Sequence, residues 1–152
     1  MSPSADTRRP ENLALLFQDV LTAIVRLRAH RQGVSDATAF RHHTREALKT
    51  AASQALAAGY TADDTRHATF AAVAFLDESV LNSQNPIFAE WLRKPLQAEL
   101  FGTHTAGEEF FVSLQQLLGR GDSADLADLI EIHYLCMLLG FSVRGCDASS
   151  RR

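Results

Sequence analysis

Apolar residues recur at intervals of three and four along almost the whole chain, and no stretch alternates apolar and polar positions over several residues. Intervals of three and four place side chains on one face of an α-helix, whereas strict alternation marks a half-buried strand. The pattern predicts an all-α fold of about six or seven helices with short connections and no sheet.

Residues 1–9 read as a loose polar tail, and Pro10 suits the first turn of a helix, where its missing N–H costs nothing. Leu13, Leu16, Phe17, Val20, Leu21, Ile24 and Leu27 then predict one amphipathic helix of about five turns, ended by Gly33. Ser35 is the expected cap of a second helix, whose inward face is Phe40, Ala47, Leu48, Ala51, Ala55 and Leu56 and whose end is Gly59. Thr61, with Asp64 three residues on, caps a third that buries Phe70, Val73, Ala74, Leu76, Val80 and Leu81.

The run Asn82-Ser83-Gln84-Asn85-Pro86 breaks the pattern. Two short pieces begin at Pro86 and Pro95, the second stopping at Gly102. Thr105 and Glu108 have capping-box spacing ahead of Phe110, Phe111, Leu114, Leu117 and Leu118, and Gly119 ends that helix. Ser123 caps the last helix, lined by Leu126, Leu129, Ile130, His133, Tyr134, Met137 and Leu138 and ended by Gly140. A polar tail follows from Ser142.

A length of 152 residues suits one domain or two very small subdomains, and an apolar fraction of 46% is enough to build a core. The net charge of −3 gives no reason to expect a nucleic-acid partner. The charge is uneven: residues 1–66 hold nine Lys/Arg against seven Asp/Glu, and residues 67–152 hold six against eleven. That split reads as two solvated helix faces of opposite sign, or as a polarised surface that steers protein partners. Two cysteines, Cys136 within an apolar run and Cys146, make no disulfide framework and fit a reducing compartment. The polar start carries no secretory signal pattern, and no apolar run reaches the ~18 residues that a membrane span needs.

Catalytic motifs are missing from the sequence: it holds no G-x-S-x-G, P-loop, G-x-G-x-x-G or H-E-x-x-H. His42 and His43 are adjacent and point to different sides of a helix, so they do not share a metal easily. His133 and Cys136 lie one turn apart but within an apolar stretch, which reads as a core histidine beside a buried thiol. Asp77 and Glu78 interrupt the apolar run from Phe70 to Leu81. Charges are rarely buried without partners, so one of the pair is expected to anchor a neighbouring helix N-terminus or an arginine, or else to form the acidic lip of a partner-binding groove. Their ~100° divergence on a helix argues against an acid–base dyad. Phe88, Trp91, Phe101, Phe110 and Phe111 are expected mostly in the core, some of them at a seam between two bundles.

Three runs, FLDESVLNS (residues 75–83), WLRKPLQAELFGTHTAGEEFF (91–111) and DLIEIHYLCMLLGF (128–141), in this order and spacing, resemble the DotU/TssL/IcmH family of type VI and type IVB secretion systems. The resemblance extends from about Leu13 to Phe141. It implies a helical cytoplasmic domain over residues 10–141, built as two small bundles in a hooked arrangement on the cytoplasmic face of the bacterial inner membrane. It also implies a structural, non-enzymatic role that binds an IcmF/TssM-type subunit and a TssK-type baseplate component, with weak self-association and no cofactor or metal. The candidate partner-binding positions are Asp77, Glu78 and Asn82 in the first run, Trp91 opening the second, and Glu131 in the third. The ending GFSVRGCDASSRR departs from the family's G-F-x-G-[KR]-Y and its following membrane anchor, so attachment is expected only through an anchor missing from these residues. Two other readings are an orphan helical adaptor, and a metal, haem or small-molecule binder using His133, Tyr134 and Cys136.

Overall fold

The computed structural model describes residues 11–29 and 34–142, and every regular element among them is helical. The elements are α1 (Leu13–Leu16), α2 (Gln18–Arg28), α3 (Ala37–Ala57), α4 (Ala62–Ser83), a 3-10 turn (Pro86–Phe88), α5 (Ala89–Arg93), α6 (Leu96–Phe101), α7 (Ala106–Leu118) and α8 (Ala124–Leu138). Expectations for Pro10, Gly33 and the tails 1–9 and 143–152 lie outside the described residues.

α4 is the centre of the molecule, touching α2, α3, α6, α7 and α8. Its sequence explains this position. Ala68, Ala71, Ala72, Val73, Ala74, Phe75 and Leu76 are all buried, so the helix is apolar on nearly every side, and its small residues admit close neighbours. The expected bundles share α4 and a single continuous apolar cluster. Phe75, Phe110, Phe111 and Phe141 pack as tilted, edge-on or stacked rings in that cluster, and Phe40, Phe88 and Trp91 form a second aromatic group.

Thr61 accepts from the Asp64 N–H and Ser123 from the Leu126 N–H, each an N-cap at its expected place. The second helix is instead capped by Asp36, one residue past Ser35, whose carboxylate takes the Ala39 N–H. The first helix is two segments, because Phe17 (φ −95°, ψ 9°) leaves helical geometry while its ring is fully buried. Asn12 caps that start. The expected Thr105–Glu108 box does not form: the Thr105 side chain caps nothing, and the first N–H of α7, on Ala106, goes to Gln97. Glu109 accepts from the Thr103 and Thr105 hydroxyls instead. Leu56, Leu81, Leu118, Tyr134 and Leu138, expected inward, are exposed. Leu56, Leu81, Leu118 and Leu138 each fall within the last three residues of their helices.

Candidate functional site

Near its C-terminal end α4 carries Asp77 and Glu78, and the chain then folds back to cover them. Gln84 turns left-handed at φ 53°, and Asn85 caps the 3-10 turn by accepting from the Ile87 N–H. α5 delivers Trp91, whose indole N–H donates to Asp77 Oδ1 at 2.8 Å. Pro95 then starts α6 without a capping side chain. Asp77 supplies the cap from another helix: Oδ1 accepts the Leu96 N–H at 3.1 Å, and Oδ2 accepts both the Gln97 N–H at 2.8 Å and its side-chain amide at 3.1 Å. Burial raises the Asp77 carboxyl above its ordinary range, and these donors offset only part of that rise. Gln97 passes the connection on, since its Oε1 accepts the Ala106 N–H at 2.9 Å. One carboxylate thus organises the starts of α6 and α7.

Glu78 accepts from Arg28 at 3.0 Å and from the Asn82 amide. The same guanidinium donates to Ser79 Oγ at 3.0 Å and to the Gly140 carbonyl at 2.9 Å, and it lies over the Phe75 ring. Arg28 therefore fastens α2 and the end of α8 onto α4. Gly140, at φ 122°, turns the chain so that Phe141 enters the core.

Between these contacts lies an open groove of about 300 Å³. α4 contributes Ala74, Asp77, Glu78 and Leu81, α5 contributes Trp91 and Leu92, and the far wall is Phe141 and Ser142. Among the candidate partner-binding positions, the structure brings Asp77, Glu78 and Trp91 to this groove, with Asn82 hydrogen-bonded to Glu78. Glu131 is elsewhere: it accepts from Asn12 at the start of α1, one turn from Asp128, which meets Tyr60 just ahead of α4. Sequence reasoning missed Arg28, Leu92 and Phe141. Leu92 had a signal as an apolar residue on a short helix between prolines. Arg28 had none, since its partners lie 50, 51 and 112 residues away.

Two other constellations have chemical interest. His67 lies 2.9 Å from Ser113 Oγ through Nδ1 and 3.6 Å from Asp63 through Nε2. Ser113 sits mid-helix, where its own N–H belongs to the α7 ladder and offers no oxyanion donor, and Asp63 is well solvated. The proposed ligand trio separates, because Tyr134 points to solvent while His133 and Cys136 are buried. Burial raises the Cys136 thiol to about 12. No group of three or more metal-ligating side chains occurs among the described residues.

His133 Nδ1 bonds the Leu129 carbonyl at 2.8 Å, and Nε2 has no partner among the described residues. Burial first, and nearby His67 in addition, lower its pKa, against a raising effect from the Leu129 bond. The fold therefore holds the neutral ring. Its contribution is complete above about pH 6.5 and is lost as pH falls from there towards the lowered folded value. Melting temperature should drop between pH 7 and pH 5, and His133→Leu should flatten that slope. A slope unchanged in the variant would assign the pH response to other groups.

The model of the type VI secretion system protein DotU matches residues 12–149. The chain belongs to the DotU family. Its fold is similar to the cytoplasmic domain of TssL from Acinetobacter baumannii, with 31% identity, TM-score 0.80, and coverage of 91% of this chain and 90% of that one. It is also similar to SciP/TssL from enteroaggregative Escherichia coli 042, at 28% identity and TM-score 0.77, covering 86% of this chain and 74% of that one. No curated protein matches the chain. No helix of the described DotU-family residues is long and apolar enough to cross a membrane.

Proposed function

We propose that this chain is a scaffold subunit of a type VI secretion membrane complex, linking an IcmF/TssM-type subunit to a TssK-type baseplate component at the cytoplasmic face of the inner membrane. The observation that carries this reading is the family match over residues 12–149. That match also supports the type VI reading over a type IVB subunit or an orphan adaptor. The role is one of surface recognition, with no chemical step. The groove beside α4 is the proposed docking surface, and Asp77, Glu78, Asn82 and Trp91 build its floor and lip. Glu131 belongs to a separate contact near α1.

Co-purification of the full chain with its cognate TssM-type cytoplasmic region and TssK-type subunit tests this. Capture of at least one partner is expected. Capture of neither, by a chain with an intact helical circular dichroism signal, would overturn the scaffold reading. Charge reversal at Asp77 is a poor probe, because it would remove the cap of α6 along with any partner contact.

A further inference from the structure

The groove invites an electrostatic reading. Two carboxylates, Asp77 and Glu78, border it, and no Lys or Arg is among its described lining residues, so a cationic ligand looks complementary. The hydrogen bonding contradicts this. Both Asp77 oxygens are engaged by four N–H donors from Trp91, Leu96 and Gln97. A partner's cation could take that carboxylate only by releasing the start of α6. Glu78 is already paired with Arg28, and its side chain is only 12% exposed. Arg28 is itself held at Ser79, at the Gly140 carbonyl and over Phe75, so the pair is fixed in place before any partner arrives. An incoming Lys or Arg would only exchange one ion pair for another. What the described lining leaves for a partner is mostly apolar, Leu81, Leu92 (47% exposed), Pro95 and the wall at Phe141, with the exposed His104 and Ser142 at its edge.

We infer that the groove takes an uncharged, apolar segment of the partner, its two carboxylates being satisfied within the fold. The inference rests on the groove being the docking surface proposed above. The charge balance argues for this occupant: a groove whose carboxylates are satisfied internally matches a segment that brings no charge, and a buried partner cation would find no counter-ion.

The test is the dissociation constant of the full chain with whichever cognate subunit it captures, TssK-type or TssM-type, measured for three forms. Glu78→Gln keeps the size and acceptor oxygen of the side chain and removes its charge, so its affinity should stay within about threefold of the parent. Leu92→Asp, on an exposed position that leaves the core untouched, should weaken binding at least about tenfold with the melting temperature unchanged. Leu81→Asp should do the same and guards against a local effect at α5. A tenfold loss with Glu78→Gln at unchanged melting temperature would show that a partner cation uses the carboxylate, and would overturn the inference. Parent-like binding by both aspartate variants would also overturn it while leaving the scaffold reading intact, since the partner would then dock elsewhere. Absence of binding by the parent chain would overturn the scaffold reading and this inference together.

Discussion

Asp77→Ala should lower the unfolding free energy by about 3–5 kcal/mol, measured by urea denaturation at neutral pH. The carboxylate is buried and serves donors on three residues, so truncation leaves the Trp91 indole N–H and the Leu96 N–H without their acceptor in a part of the fold that water reaches poorly. Each stranded buried donor costs about 1–3 kcal/mol. Asp77→Asn should fall between, because one amide oxygen can still serve two donors while its NH₂ faces the others. Trp91→Phe removes a single donor and should cost about 1–2 kcal/mol including the lost indole packing. A loss below about 1 kcal/mol for Asp77→Ala would mean that water or a rearranged Gln97 replaces the carboxylate.

Gly140→Ala should cost about 2–4 kcal/mol by the same measurement. At φ 122° a side chain is strained, and a Cβ there would lie 2.6 Å from an Arg28 guanidinium nitrogen. Either the chain end moves, withdrawing Phe141 from its aromatic neighbours, or Arg28 gives up Gly140 and loosens from Glu78. A double-mutant cycle separates the two costs. In an Arg28→Ala background the steric part disappears and the backbone part remains, so the penalty of Gly140→Ala should shrink by about half or more. An undiminished penalty would assign the whole effect to backbone strain.

Much of this fold was legible because its signals are local. Helix periodicity, the caps Thr61 and Ser123, and the stops at Gly59 and Gly102 depend on residues within one turn of each other. Asp36 was misplaced by one position because Ser35 and Asp36 are both good caps and only the backbone chooses between them. The capping box at Thr105 failed because close neighbours took its groups: the Thr103 hydroxyl oxygen accepts the Thr105 N–H, and the Thr105 hydroxyl donates to Glu109. The burial argument identified Asp77 and Glu78 as charges needing partners, and both expected kinds of partner exist, a helix N-terminus for Asp77 and an arginine for Glu78. The sequence could not show which arginine, since Arg28 meets Glu78 and Gly140 only after three distant segments have packed. Nor could it separate Glu131 from the others, because that depends on how α8 lies against α1.

α5 and α6 have five and six residues, too few to persist as helices in water. They exist because Asp77 and the aromatic group around Trp91 hold them, so the stretch from Asn85 to Thr105 should open and close as one cooperative unit. The amides of this stretch would then exchange with solvent deuterium together, at a rate set by a single opening free energy smaller than that of α4. The groove is present only while the unit is closed, so that opening energy also sets the fraction of molecules able to bind at any moment.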